Sequence, residues 1–318
     1  MHRVYSVIND TISKSALVHL QEYVDQLGTP DRWAIFSDYS LVDENKPNKA
    51  VTFLIVPQGL NLEDLSKLIR KIAPKDIKNC DNIDEEFLRV LNDPRLFYIS
   101  FILKDIERLF RFQHLDQRQA LILSFDELLK KSSRWEASTP ESAEYASRVI
   151  QKVKKVRRKL NSKGANLRIV RDVITVSYLA ACIGYLFTKL SKALLLGWFS
   201  DRGPIQEAYE NLAYDLFWAL HHDLCCQENA PWRNVEICLG QPNPDKNGKV
   251  WYDEINRLPD YIVGTLADWN MQRNLWSNPK FEKIWRSCLA DNNRHVILKL
   301  EAKGTVTMCS KVVMAIAT

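Results

Sequence analysis

The apolar positions of the chain fall into two rhythms. Over Asn9 to Leu27, Leu17, Leu20, Val24 and Leu27 recur at helical spacing, and Gly28 with Pro30 ends the run, which predicts a helix. Arg32 to Tyr39 is short, aromatic and bounded by Pro30 and the polar stretch DENKPNK, so it predicts a strand. Ala50 to Val56 (AVTFLIV) predicts a second strand, antiparallel to the first across a turn rich in Asp, Asn and Pro. Asn61 to Ile72 gathers Leu62, Leu65, Leu68, Ile69 and Ile72 on one helical side, and Arg95 to Leu103 predicts a third strand. Between Lys104 and Lys163 the pattern turns charged and helical, with helices expected over Gln117 to Lys131 and Glu141 to Leu160. A strand at Ala193 to Phe199 follows, then a helix opened by Gly203-Pro204 and reaching about His222. A strand at Asn234 to Leu239, a helix from Pro259 and an alternating tail, His295 to Ala317, complete the order. The tail predicts a β-hairpin turning at Lys303-Gly304.

Strands separated by helices predict an α/β fold, a mixed sheet with helices on its faces. The expected organisation is a first part of one domain over 1–103, a basic helical insertion over 104–165, a second part over 166–290, and a C-terminal hairpin over 291–318. Val173 to Thr188 is almost wholly apolar, yet its 16 residues fall short of the roughly 20 that cross a bilayer, so a core helix is expected and no membrane partner.

Composition narrows this only slightly. The chain has 318 residues, 46% of them hydrophobic, enough for one large core or two modest ones. Seven cysteines without a repeating spacing suit a reducing compartment, and MHRVYSVINDTISKSA lacks the apolar stretch of a signal peptide, so a cytoplasmic protein is expected. The net charge of +5 is mild, but its distribution is not even. No acid occurs between Gln151 and Arg171, a stretch that holds Lys152, Lys154, Lys155, Arg157, Arg158 and Lys159. Such a run is a solvated helix face or a surface for nucleic-acid phosphates. His221 to Cys226 (HHDLCC) pairs His with Cys four residues apart, but only Cys238 and His295 could complete a zinc set, and a packed core is the simpler reading.

The tripeptide Phe-Ser-Asp occurs twice, in WAIFSDYS and LLLGWFSDRGP, each time where an apolar run ends. If those runs are parallel neighbours, Asp38 and Asp201 emerge side by side. Asp260, in the first turn of the helix after Leu258-Pro259, is a third candidate. Each aspartate alone is equally suited to a turn or a helix start. Together they would repel one another, and a divalent cation is the simplest way to hold them ionised. Two such ions form the clamp used in phosphodiester cleavage.

These motifs, FSDYS, FSDRGP and LPDYIVGTLADW, resemble the RNase H-like fold and, within it, an uncharacterised bacterial family called domain of unknown function 3800. The resemblance spans about Arg32 to Asn270. It implies adjacent strands for Asp38 and Asp201, and a nuclease that uses Mg²⁺ or Mn²⁺ on RNA or DNA in phage-defence or mobile-element biology. Asp38, Asp201 and Asp260 would be catalytic and metal-holding, with Asp268, Glu207 or Asp43 as the fourth acid. The first motif departs from the family's Asp-Glu-Ser, since Tyr39 follows Asp38. The alternative is a catalytically degenerate module that keeps the fold and docks a protein or nucleic acid through its basic insertion. The hairpin's free edge is a candidate surface for self-association.

Overall fold

The structure, a computed structural model, describes residues 2–108, 115–138, 143–230, 235–240, 244–246, 248–303 and 306–316. Its centre is a mixed seven-stranded sheet in the order β5–β4–β1–β2–β3–β6–β7. The strands are β1 (Arg32–Ser40), β2 (Lys49–Pro57), β3 (Phe97–Lys104), β4 (Leu195–Ser200), β5 (Glu236–Leu239), β6 (His295–Lys303) and β7 (Val306–Val312). β1 runs antiparallel to β2 and parallel to β4; β3 is antiparallel to β2 and parallel to β6; β4 and β5 are parallel. β6 and β7 form the antiparallel hairpin expected from the alternating tail, while its turn at Gly304 lies outside the described residues. Asn234 and Glu141, expected as the starts of a strand and a helix, also lie outside them.

Because strand side chains alternate between faces, the sheet separates two cores. Trp33, Ile35, Val51, Phe53 and Trp198 point to one side. There they meet α1 (His2–Ser15), α2 (Leu17–Gln26), α5 (Gln117–Ser138), α6 (Ala143–Leu160), α7 (Leu167–Ser191) and α8 (Pro204–Gln227). Phe36, Leu54, Tyr98 and Phe199 point to the other side, against α3 (Leu62–Ile72), α4 (Glu85–Leu91), α9 (Arg257–Asp268) and α10 (Pro279–Ile284). The charged helices α5 and α6 contribute Leu121, Phe125, Val149, Val153 and Val156 to the first core, so they belong to its packing. α4 escaped the periodicity because it is so short, although Asp84 caps it by accepting the Glu86 N–H at 2.7 Å.

At 25 residues, α7 is longer than its apolar core suggests. It is the one helix among the described residues long and apolar enough to cross a membrane, so length does not decide the matter as the sequence suggested. In the structure, 89% of its most apolar window is enclosed by the fold, as for a core helix. α8 is also less regular than its sequence. Tyr209, Glu210 and Asn211 hold φ of 53°, 62° and 60°, a left-handed turn between its first turn and its long body.

Candidate active site

The two Phe-Ser-Asp tripeptides lie side by side in register. Phe36 pairs with Phe199 and Ser37 with Ser200 across the β1–β4 ladder, which continues as the Asp201 N–H donates to the Ser37 carbonyl at 2.8 Å. The Phe36 and Phe199 rings stack at 5.4 Å on one face, a contact worth roughly 0.5–1.5 kcal/mol beyond its area. Gly197 makes room for it, since a Cβ there would sit 2.5 Å from the Phe199 ring. Two residues beyond each phenylalanine, Asp38 and Asp201 rise from that same face, and α9 lays Asp260 against them.

All three line one cavity of about 610 Å³ beyond the ends of β1 and β4. α9 is positioned by two devices. Buried Asn48 donates to the carbonyls of Leu266 and Trp269, at 2.8 and 2.6 Å, and fixes the end of the helix to the start of β2. Gly264 lets α9 approach the 3-10 turn Ile77–Asn79, where a Cβ would meet Ile77 Cγ2 at 2.8 Å. That approach puts the Ile77 N–H on the Asp260 carboxylate, 2.8 Å from Oδ2. Asn256, buried before α9, is satisfied when its amide nitrogen faces the Phe199 carbonyl (3.2 Å) and its oxygen the Asp201 N–H (3.1 Å).

The electrostatics follow from this crowding. None of the three carboxylates forms an ion pair with a lysine or arginine among the described residues. Burial, followed by Asp260 and Asp201, pushes Asp38 well above the usual carboxylate range, against the pull of the Tyr39 N–H. Burial and then the nearby Asp76 raise Asp201 to about 6. Burial raises Asp260 to about 7, with Asp76 and Asp201 adding to it and the Ile77 N–H opposing. Carboxylate oxygens are the hard donors that Mg²⁺ or Mn²⁺ takes. Among the described residues, however, no group of three or more His, Cys, Asp or Glu side chains is gathered closely enough to hold an ion. The aspartates share a cavity without being drawn into one ligand sphere.

The candidates for a fourth acid go elsewhere or to the rim. Burial would raise the Asp268 carboxyl, but Lys46 Nζ at 2.6 Å and the N–H and hydroxyl of Ser277, both at 2.7 Å, outweigh it and hold the group below the usual range. Glu207 is exposed and does not line the cavity. Asp43 lines the rim and accepts the Asn45 N–H. The structure instead brings in Asp76 and Asp253, both unremarked in the sequence. Asp253 is neutralised by Arg202 at 3.0 Å, whereas among the described residues Asp76 pairs only with Lys78, at 3.9 Å. Asp253 sits in the polar cluster YDEINRLPD, a legible signal; Asp76, in a loop after α3, offered none.

The basic stretch divides in two. Lys152 meets buried Asp215 at 2.5 Å beside Arg148, Lys155 meets Glu210 at 2.9 Å, and Arg157 forks onto Asp126 at 2.7 and 3.2 Å. Lys154, Arg158 and Lys159 are exposed, Lys159 with its ammonium over the Tyr209 ring. His221 and His222 are buried and shifted down, to about 3 and about 4, chiefly by burial, as suits packed neutral imidazoles.

No family model, no curated protein and no solved structure matches the chain. The class defined here is therefore structural: an α/β protein with a mixed seven-stranded sheet and an aspartate-lined cavity at the ends of two parallel strands.

Proposed function

We propose that the protein is a divalent-metal-dependent nuclease that hydrolyses phosphodiesters of RNA or DNA. One observation carries the reading: Asp38, Asp201 and Asp260, from three separate stretches of sequence, line one cavity, and none of them forms an ion pair among the described residues. Buried like charges are costly unless protonated or bound to a cation. Asp38, Asp201 and Asp260 would hold Mg²⁺ or Mn²⁺, which when bound supplies a polarised water and charge stabilisation for the leaving oxygen. The exposed Lys154, Arg158 and Lys159 would meet substrate phosphates outside the cavity. The resemblance noted above adds the setting, phage defence or mobile elements. A cytoplasmic location belongs to the same reading and rests on seven free cysteines.

A second reading is a degenerate module that binds a protein or nucleic acid without cleaving it. It is favoured by the lack, among the described residues, of a carboxylate group tight enough to hold an ion. Thermal unfolding with Mn²⁺, together with cleavage of labelled RNA and DNA oligonucleotides, separates the two. The nuclease reading expects stabilisation and cleavage in wild type, and neither in Asp38→Asn with Asp201→Asn. Neither effect in wild type favours the module.

A further inference from the structure

Four cations line the aspartate cavity: Lys46, Lys78, Arg257 and Lys280. Three of them have protein partners. Lys46 is held by Asp268 at 2.6 Å, and Lys280 Nζ donates to the carbonyls of Ile77 and Cys80 at 2.7 and 2.6 Å. Lys78 stands in solvent, 3.9 Å from Asp76. Arg257 differs. It opens α9, one helical turn before Asp260, so the two side chains project on neighbouring parts of one face. Its Nε and Nη1 are withdrawn from solvent and have no hydrogen-bond partner among the described residues. The cavity offers many carboxylates, yet among the described residues none forms an ion pair with this guanidinium.

Buried guanidinium nitrogens without acceptors cost free energy, and a planar fork of donors is the geometry that suits a phosphate. Resting on the nuclease reading, we propose that Arg257 is the substrate-anchoring residue of this cavity. It would bind a non-bridging phosphate oxygen of the nucleic-acid strand whose backbone reaches the three aspartates. The fixed positive charge then lies where a polyanion must approach an acidic site, and a small turn of the guanidinium toward the cavity it lines would give its unpaired nitrogens a phosphate acceptor. Arg257 would orient the phosphodiester, leaving proton and metal chemistry to the aspartates.

The test measures binding separately from cleavage. Fluorescence anisotropy of a labelled single-stranded oligonucleotide with Mg²⁺ would compare Asp38→Asn with the double variants Asp38→Asn/Arg257→Gln and Asp38→Asn/Arg257→Lys. Loss of one charge-assisted phosphate contact should weaken binding roughly 10- to 100-fold in the Gln variant. The slope of log K against log salt should become shallower by about 0.7. The Lys variant should fall between, keeping the salt slope while losing affinity. Thermal unfolding of each variant checks that the fold is intact, and Arg257→Lys keeps the test informative if Arg257→Gln does not fold. Equal affinities and slopes in all three proteins would overturn the assignment, as would absence of oligonucleotide binding by Asp38→Asn. Binding that depends on Arg257, with no cleavage by wild type, would overturn the nuclease reading and leave the anchor in place.

Discussion

The Ser37 and Ser200 hydroxyls lie 3.0 Å apart on the sheet face opposite the aspartates. They sit in the middle of a directional relay. Trp198 Nε1 donates to Ser37, Ser37 to Ser200, Ser200 to the Tyr39 hydroxyl, and Tyr39 to the Asp201 carbonyl, at 2.9, 3.0, 3.3 and 3.0 Å. Each hydroxyl both gives and receives, so the bonds reinforce one another in a buried setting. The middle letter of each tripeptide thus fastens β1 to β4 from behind, while the aspartates line the cavity in front.

The crowded aspartates should make the metal-free protein respond to pH in an unusual direction. Asp201 and Asp260 are raised to about 6 and about 7 in the folded state, above their unfolded values, so the folded protein binds more protons between about pH 4 and 7. Their contribution to stability therefore falls as pH rises through that window. In EDTA, these groups should make the protein more stable at pH 5 than at pH 7.5, and Asp201→Asn with Asp260→Asn should flatten the dependence. Differential scanning fluorimetry across the range checks this. A wild-type profile that the double variant leaves unchanged would refute it.

Gly264 should be intolerant of alanine despite its place inside a helix. Alanine gains about 1 kcal/mol of helix propensity, but its methyl would press on Ile77 Cγ2, a branch that cannot swing away. A net loss of roughly 1–3 kcal/mol is expected, as for overpacked cores, with weaker Mn²⁺ stabilisation because Ile77 holds Asp260. In an Ile77→Ala background the same change should be neutral or favourable. Chemical denaturation of the four proteins gives the coupling directly.

The basic stretch should separate by partner. Charge reversal at Lys154 and Arg158, which are exposed, should weaken oligonucleotide binding and flatten its salt slope while leaving stability within about 0.5 kcal/mol. Reversal at Lys152 should instead destabilise by about 3–5 kcal/mol, because Asp215 is buried and would lose a direct partner. Salt titrations with urea unfolding distinguish these outcomes.

Much of this architecture was written in the chain. Alternation and apolar runs located the sheet strands to within a few residues, and the repeated tripeptide pointed to the adjacency of β1 and β4 because each apolar run ends in an aspartate that a shared site would bring together. What stayed hidden depends on contacts made at long range. Asp268 lies two helical turns from Asp260 and resembles it in sequence, but Lys46 and Ser277 claim it from a different edge of the helix. Asp76 reaches the site only because Gly264 admits its loop, and nothing local announces that. The continuous helical pattern of α8 likewise conceals the turn at Tyr209 to Asn211, since three L-residues in left-handed geometry run against local preference.

That turn ties two distant segments into one unit of opening and closing. Each of its residues resists the conformation by about 1–2 kcal/mol, so the segment persists only while something outside it holds on. The holders are on α6: Lys152 donates to the Glu210 carbonyl at 2.6 Å, Lys155 to its carboxylate at 2.9 Å, and Lys159 covers Tyr209. Detachment of α6 should free the turn at the same moment. In native-state hydrogen exchange, the amides of Leu212 to Tyr214 should therefore exchange with the same opening free energy as those near Val153 and Val156, and Lys152→Ala with Lys155→Ala should lower both together.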